Sequence, residues 1–397
     1  MSTEHTDILI NGYGIGGALL AYILGKTGLK VTVVERGARE RAINGADLLK
    51  PAGIQVVTEL GLYDDVLSAG GRVRDALRVF HDKEVLCDID YKISSSTGKF
   101  ILIPCEWLRS VVARQVDSLP SVKVLFNSRI TDVQRDRTGN VGLVRLADGQ
   151  RMAPTVLVGA DGSHSYVRKI LGMVVEGYAY PSPMYFTVLP ITPSVEALNR
   201  LYVDSAQGLA YFYPVGKEAT RLVISFPRDE MQTLLQDNTG ATLKARLSSF
   251  VSDESADAIE KIVDTKGFKG TPIGRFNLKS YFASNMVMLG DAIHNIHPIT
   301  GQGMNLAIED ANELGNQLLE MFSGRATLPE ALRAYQLHRH SINESLVSYG
   351  HNLATTFHDK TAFAGSFNVA LQTSSRDTQL ISAYRNTYSQ RPVEKTS

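Results

Sequence analysis

"ILINGYGIGGALLAYILGKTG", residues 8–28, places four glycines within six positions between two different apolar patterns. The run "DILIN" is short and rich in β-forming residues, which favours a buried strand. The run "ALLAYILGKTG" has apolar residues at helical spacing and ends at Gly28, as helices often do. The stretch therefore predicts a strand, a tight turn and a helix in immediate succession.

The glycines also have the spacing of a dinucleotide-binding loop. Gly12, Gly14 and Gly17 fit G-x-G-x-x-G, in which the first permits the turn, the second lets backbone approach a pyrophosphate, and the third lets helix pack on strand. "KVTVVER", residues 30–36, supplies a second strand that ends at Glu35, where a carboxylate can bind a ribose diol. The phosphates would lie at the helix N-terminus. The alternative is a glycine turn that only packs a βαβ unit.

The composition limits the class of protein. The 397 residues, 44% of them hydrophobic, favour two domains or one domain with an insertion. Lys plus Arg and Asp plus Glu both number 41, which argues against a nucleic acid partner. Cys87 and Cys105 are far apart and lack metal-ligand spacing, so a reducing, cytoplasmic location is expected. No apolar run reaches the roughly eighteen residues of a membrane span.

Two later stretches repeat the junction of strand and turn. "VLVGADGSHSYVRKILG", residues 156–172, carries Asp161 and Gly162 in a turn before a helix. In "MVMLGDAIHNIHPITGQGMNLAIEDANELGNQL", residues 286–318, Gly290 and Asp291 end a strand and are followed by a loop with the pattern P-x-x-G-x-G from Pro298.

These three motifs, in this order, resemble those of the FAD-dependent class A aromatic monooxygenases, typified in fold by p-hydroxybenzoate hydroxylase. The resemblance implies an α/β fold in which a Rossmann-like FAD-binding domain of the GR2 type carries an inserted antiparallel-sheet substrate domain and C-terminal helices. It implies that Glu35 binds the adenosine ribose, that Asp161 lies near the pyrophosphate and that Asp291 contacts the ribityl chain. The full set of expected cofactor-binding residues is Gly12, Gly14, Ile15, Gly16, Gly17, Glu35, Arg36, Asp161, Gly162, Gly290, Asp291, Pro298, Gly301, Gln302, Gly303, Met304 and Asn305.

The loop from Pro298 to Met304 is expected to face the isoalloxazine ring. Gly301, Gly303 and the following helix start would offer free N–H groups that stabilise the reduced flavin anion. Many family members carry an arginine beside the flavin where this chain has Cys105, so weaker flavin or nicotinamide affinity is expected. Because no second G-x-G-x-x-G occurs, the reductant is left open between NAD(P)H and reduced flavin supplied by a separate reductase.

The middle of the chain differs from its flanks. Alternating, aromatic-rich runs such as "MYFTVLPI" and "TRLVISFPR" predict an antiparallel sheet over residues 176–275, and residues 76–91 show the same alternation. The expected division is FAD-binding parts at 1–75, 96–175 and 276–350, substrate-domain strands at 76–95, the substrate domain at 176–275, and a C-terminal helical cover and tail at 351–397.

Tyr211, Tyr213 and Pro298 are candidates for the substrate pocket. The two-residue strand period puts both tyrosines on one face, where they would either roof the active site or pack beneath the sheet. A tyrosine base would need a pKa well below about 10, so no base is assigned. His294 and His297 are three residues apart, but a glycine-rich loop gives no rigid face for a metal, and contacts to flavin or backbone are preferred.

A narrower resemblance concerns the reaction. "RAINGADLLKPAGI", "GLAYFYPVG" and "GDAIHNIHPITGQGMNLAIEDA" are similar to the monooxygenases of alkylquinoline N-oxide biosynthesis, which oxidise a primary aromatic amine to a hydroxylamine. The resemblance implies a small aromatic substrate like 2-aminobenzoylacetate. The alternatives are hydroxylation of an aromatic ring, a flavin oxidoreductase that does not oxygenate, and a nucleotide sensor without turnover.

Overall fold

The computed structural model describes residues 3–40, 47–95 and 97–366. The first six residues of "RAINGADLLKPAGI" and most of the predicted 351–397 unit lie outside them. The strands are β1 (Thr3–Asn11), β2 (Val31–Val34), β3 (Leu48–Leu49), β4 (Arg72–Arg74), β5 (Ala76–His81), β6 (Glu84–Asp90), β7 (Phe100–Leu102), β8 (Val122–Leu125), β9 (Ile130–Arg135), β10 (Val141–Leu146), β11 (Arg151–Gly159), β12 (Gly177–Ala179), β13 (Met184–Pro190), β14 (Asn199–Val203), β15 (Leu209–Val215), β16 (Ala219–Ser225), β17 (Lys269–Thr271), β18 (Gly274–Asn277), β19 (Phe282–Ala283), β20 (Met286–Met288) and β21 (His294–Asn295). The α-helices are α1 (Ile15–Gly25), α2 (Pro51–Glu59), α3 (Tyr63–Ser68), α4 (Tyr91–Ser94), α5 (Cys105–Asp117), α6 (Tyr166–Ile170), α7 (Pro193–Ala197), α8 (Arg228–Gln236), α9 (Ala241–Phe250), α10 (Ala256–Glu260), α11 (Gly303–Phe322) and α12 (Leu328–Thr356).

The larger sheet has its parallel strands in the order β20-β11-β1-β2-β8. Its central strands are continuous apolar runs, as expected where helices cover both faces of a sheet. The helix α1 is buried along its whole length and contacts α5 and α11. The carboxyl ends of β1, β11 and β20 meet at one edge, where ligands bind in such sheets. That edge carries all three motifs predicted to bind the dinucleotide.

The second sheet has seven strands in the order β17-β13-β16-β15-β14-β5-β6. The hairpin β5–β6, more than one hundred residues earlier in the chain than β14, joins it as residues 76–91 predict. One pair departs from the predicted antiparallel sheet, because β14 and β5 run parallel. A short hairpin forces antiparallel pairing, but β5 and β14 are joined by a long connection that imposes no direction.

The two faces of the second sheet pack against different partners. Phe212 on β15 belongs to a core formed with α8, α9 and α10. Tyr211 and Tyr213 point the other way, into a cluster shared with Leu353 of α12. Their shared face follows the two-residue strand period, as the sequence predicts. The residue boundaries assigned to the domains stay a prediction.

The C-terminal region is helical up to the last described residues. α11 ends at Phe322, and α12 begins at Leu328 behind a capping box formed by Thr327 and Glu330. Gly324 therefore lies in the break between the two helices, and Pro329 is the second residue of α12. Within the described part of the chain, no helix is both long and apolar enough to cross a membrane.

Candidate active site

Three glycines of the first loop have different surroundings. Gly12 has a φ of +108°, and a Cβ built on it would lie 2.3 Å from the Ala160 carbonyl oxygen. A Cβ on Gly17 would lie 2.1 Å from the Gly12 carbonyl oxygen. A Cβ on Gly14 would meet nothing within 4 Å. Gly12 and Gly17 thus let β1, β11 and α1 approach each other, whereas Gly14 leaves room for a ligand.

The N-terminus of α1 faces the same space. Gly14 is its N-cap residue, no side chain caps it, and its first turn contains no acidic residue. The first N–H groups of a helix lack partners within the helix and favour an anion. This space is part of a cavity whose lining includes Gly14, Ile15, Gly16 and Gly17. This uncapped helix N-terminus fits a pyrophosphate.

Glu35 lies at the carboxyl end of β2 with 4% of its surface exposed. The Tyr13 N–H donates to its Oε2 at 2.8 Å, and the Gly37 N–H donates to its Oε1 at 2.7 Å. These bonds fix the carboxylate beside the glycine loop, where the sequence predicts the ribose. Arg36 is exposed next to it.

Asp161 holds together the turn that follows β11. It accepts hydrogen bonds from Asn11 Nδ2 at 2.7 Å, from Ser165 Oγ at 2.5 Å and from the Tyr166 N–H at 2.7 Å. The carboxylate therefore joins β1 to the start of α6. Gly162, the next residue, lines the cavity.

Gly290 and Asp291 follow β20 at the same edge. Gly290 has a φ of +61°, and its N–H donates to Asp310 Oδ2 at 3.0 Å. Asp291 is open to the cavity, and desolvation by the surrounding protein raises the pKa of its carboxyl. The Asp291 carboxylate interacts with the Ser163 side chain and can also accept a hydrogen bond from a ligand hydroxyl in the cavity.

A buried polar network supports this turn from behind. Asp310 also contacts His294 Nε2 at 2.7 Å, Arg339 Nε at 2.8 Å and Asn343 Nδ2 at 3.1 Å. Burial lowers the pKa of His297 to about 3, and its Nδ1 accepts the Ile299 N–H at 3.2 Å. Each histidine thus has a partner within the protein, and no group of three metal-ligating side chains occurs among the described residues.

One expectation for the loop from Pro298 to Met304 is wrong. The Gly301 N–H is not free, because it donates to the Pro298 carbonyl at 2.9 Å in a tight turn. The side chain of Asn305 is not free either: its Oδ1 accepts the Lys50 N–H at 2.7 Å, and its Nδ2 donates to the carbonyls of Leu48 and Gly301. α11 begins at Gly303 without a side-chain cap. The N–H groups that remain available for a ligand are therefore those of its first turn.

A cavity of about 450 Å³ runs from the glycine loop to the second sheet. One end is formed by backbone of the motifs already described. The other end is apolar, and its walls come from the strands of the second sheet and from the segment before α5. This apolar end is lined by Leu77, Phe100, Met184, Leu201, Leu209, Tyr211, Tyr213 and Val223.

The apolar end contains an ion pair that sequence reasoning missed. Arg221 Nε donates to Asp47 Oδ2 at 2.8 Å, and the Tyr213 hydroxyl donates to the same oxygen at 3.0 Å. Arg221 and Asp47 are each 1% exposed. They are 174 positions apart, so no local pattern could pair them.

Lys50 was also missed, although it lines the cavity. Its Cε lies 3.6 Å from where a Cβ on Gly301 would stand. Burial lowers the pKa of its ammonium to about 8. The signal in the sequence was a lysine directly before Pro51, at the start of a helix whose first turn, residues 51–54, is apolar.

Both tyrosines face the cavity, and neither suits a base. Burial raises the pKa of Tyr211 and Tyr213 well above their ordinary value. The Tyr211 hydroxyl is buried beside the Asn199 side chain, which offsets part of this rise in pKa, and no acceptor for the hydroxyl proton lies in hydrogen-bond geometry among the residues that the structure describes. Tyr211 therefore keeps an unused donor at the cavity wall.

Cys105 lines the cavity at the first residue of α5. Burial raises the pKa of its thiol, so it presents an uncharged group to the cavity.

Comparisons with known proteins identify the family of the chain. Residues 5–349 match the family model described as FAD binding domain, and the chain belongs to that family. It is an FAD-dependent monooxygenase, with FAD as its cofactor. PqsL of P. aeruginosa, solved in complex with 2-aminobenzoylacetate, is 53% identical, with a TM-score of 0.90 over 92% of this chain and 100% of that one.

More distant relatives share the fold. Kynurenine 3-monooxygenase of Salinispora tropica is 27% identical over 85% of this chain and 77% of its own. Squalene epoxidase 3 of Arabidopsis thaliana is 24% identical over 81% of this chain. The chain spans 62% of the length of that epoxidase.

Proposed function

We propose that this protein N-hydroxylates a primary aromatic amine of the 2-aminobenzoylacetate type. The observation that carries the proposal is the 53% identity to PqsL across the whole of that chain, together with the 2-aminobenzoylacetate bound to PqsL. The balanced reaction converts an amine, O2, two electrons and two protons to a hydroxylamine and water.

The residues proposed to hold FAD lie at the dinucleotide end of the cavity and next to it. The N-terminus of α1 would bind the pyrophosphate, with Glu35 at the ribose and Asp291 at the ribityl chain. The first turn of α11 would donate to the ring. Bound FAD, once reduced, supplies the chemistry that activates O2 for transfer of one oxygen atom.

The cavity wall suits an amine better than a phenol. A neutral aromatic amine is a nucleophile without losing a proton, whereas a phenol gains from deprotonation by a base. Tyr211 and Tyr213 keep their protons because burial raises their pKa. The apolar side chains around them exclude water from the reacting atoms. This contrast favours N-hydroxylation over ring hydroxylation.

We propose a separate flavin reductase as the source of electrons. An uncharged Cys105 at the cavity wall supports it, since a nicotinamide dinucleotide carries anionic phosphates that an arginine would attract. A reducing, cytoplasmic location is proposed on the same cysteine usage that the sequence shows.

The test supplies the FAD-loaded protein with O2 and either NADPH or enzymatically reduced flavin. Products from 2-aminobenzoylacetate and from simple phenols are then identified by mass spectrometry, with labelled O2. The expected result is a hydroxylamine that carries one labelled oxygen and forms only with reduced flavin. A ring-hydroxylated product, or flavin oxidation without any oxygenated product, would overturn the proposal.

A further inference from the structure

Among the residues that the structure describes, Lys50 is a cation in the cavity without a counter-ion. No carboxylate in the described ranges lies within salt-bridge distance of its ammonium, and burial is the one cause of its lowered pKa. Buried lysines normally pair with an acid, because removing a charge from water is costly. An unpaired ammonium that lines a ligand cavity therefore points to a ligand that brings the negative charge.

The other charged groups of the cavity are already accounted for. Asp47 is paired with Arg221, so that pair contributes no net charge. Asp291 lies on the turn after β20, at the dinucleotide end. Among the described residues that line the cavity, Lys50 is thus the one cation, and neither lining carboxylate forms a salt bridge with it. Lys50 is also the N-cap residue of α2, whose N-terminus adds to the same positive potential.

The position of Lys50 favours the substrate over the diphosphate. The Asn305 side chain binds both the Lys50 N–H and the Gly301 carbonyl, which fixes Lys50 against the loop from Pro298 to Met304. The pyrophosphate cradle is formed elsewhere, by Gly14 and the N-terminus of α1. Leu48, two residues before Lys50, lines the same cavity among the apolar side chains.

We propose that the Lys50 ammonium binds the carboxylate of the substrate and so selects aromatic amines that carry a carboxylate over neutral ones. The proposal rests on the proposed function, because it concerns how that substrate is recognised. An ammonium and a carboxylate attract each other more strongly in an apolar cavity than in water, since the surroundings screen their charges less.

The test compares two ligands that differ by one group: 2-aminobenzoylacetate and 2-aminoacetophenone, the ketone left after loss of the carboxylate. Dissociation constants are measured on the oxidised, FAD-loaded protein from the change in flavin absorbance, without turnover. Lys50→Met should weaken binding of the acid about 10- to 100-fold, as expected for loss of a charged hydrogen bond, and leave the ketone within about twofold. Lys50→Arg should restore most of the affinity for the acid.

Lys217→Met is the matched control, because Lys217 is exposed at the turn between β15 and β16 and its loss changes the net charge equally. It should bind both ligands as the unsubstituted protein does. Lys50→Gln provides a second neutral variant if Lys50→Met does not fold. Unchanged affinity for the acid in the neutral variant would overturn the proposal, as would an equal loss for both ligands or a loss of bound FAD.

The two proposals can fail separately. If the unsubstituted protein makes no hydroxylamine while the neutral Lys50 variant loses affinity for the acid and not for the ketone, the proposed function is wrong and the carboxylate site stands. If hydroxylamine forms and the neutral Lys50 variant does not lose affinity for the acid relative to the ketone, the proposed function stands and the role of Lys50 is wrong.

Discussion

The two ends of the cavity are built from different parts of the chain. The dinucleotide end is mostly backbone: glycine loops, a bare helix N-terminus and turns at strand ends. The substrate end is made of side chains, with Asp47 and Arg221 joined across 174 positions and Tyr213 bonded to the pair. The first end is closely packed backbone that leaves open space at Gly14, whereas the second is a wall of packed side chains. Substitutions at the two ends should therefore fail in different ways.

The largest effect is expected at the substrate end, from Arg221→Met. The variant leaves the Asp47 carboxylate buried without its cation, which should cost about 3–5 kcal/mol of unfolding free energy. Urea unfolding of the FAD-loaded protein measures the loss. The double variant Asp47→Asn/Arg221→Met should recover most of it, because no unpaired charge remains. A loss below about 1 kcal/mol in the single variant would contradict the assigned role of the pair.

At the dinucleotide end, Gly14→Val should remove FAD without unfolding the protein. The new side chain would occupy the place of the phosphates, and we expect the dissociation constant of FAD to rise about 100-fold or more, a cost of roughly 3 kcal/mol. Flavin fluorescence titration gives the constant, and circular dichroism checks the fold. Unchanged flavin content in a folded variant would refute the phosphate site.

In contrast to Gly14→Val, which should remove FAD and leave the fold intact, Gly17→Ala should destabilise the fold. Its Cβ would lie 2.1 Å from the Gly12 carbonyl oxygen, which is backbone and cannot move aside as a side chain can. Overpacking of this kind costs about 1–3 kcal/mol. The midpoint of urea unfolding should fall for Gly17→Ala and much less for Gly14→Ala, whose Cβ meets open space. Equal destabilisation by both alanines would show that the two glycines do not differ as proposed.

The same contrast explains what the sequence could predict. The glycine loop, Glu35 and the turn at Gly290 are local, because each is set by spacing within one strand, turn and helix. Tyr211 and Tyr213 could be placed on one face by the strand period, but not assigned partners. The Asp47–Arg221 pair and the unpaired Lys50 depend on which distant segments meet, and a single sequence contains no signal for that. The free N–H predicted at Gly301 failed for a smaller reason, a local turn that bonds it to Pro298.

A smaller effect is expected from pH, through Lys50. Because burial lowers its pKa to about 8, the ammonium is present below that pH and is lost above it. Affinity for 2-aminobenzoylacetate should therefore be nearly constant around neutral pH and fall above pH 8, levelling off about 10- to 100-fold lower, as in the neutral Lys50 variant. The other titratable groups that line the cavity are Asp47, Tyr91, Cys105, Tyr211, Tyr213 and Asp291. Burial raises the pKa of Cys105 and of both Tyr211 and Tyr213, so none of these three accounts for a change near pH 8.

The ketone, 2-aminoacetophenone, is the control for this titration. Its affinity should not follow the same curve, and the Lys50→Arg variant should bind the acid equally from pH 7 to about pH 10, because arginine stays protonated. If the affinities for the acid and for the ketone fall in parallel above pH 8, the pH effect belongs to the cavity as a whole and not to Lys50.

The smallest effect separates the two tyrosines. The Tyr211 hydroxyl is buried beside Asn199 with no acceptor in hydrogen-bond geometry among the described residues, so Tyr211→Phe removes a desolvated group and should change the unfolding free energy by less than about 1 kcal/mol, towards greater stability. Tyr213→Phe removes a donor from the buried Asp47 and should destabilise the protein by about 1–3 kcal/mol. If the ligand-free protein loses equal stability in both variants, Tyr211 has a partner within the protein, and its hydroxyl is not reserved for the substrate. If only Tyr213→Phe is destabilised while Tyr211→Phe weakens binding of 2-aminobenzoylacetate, one tyrosine supports the wall and the other contacts the ligand.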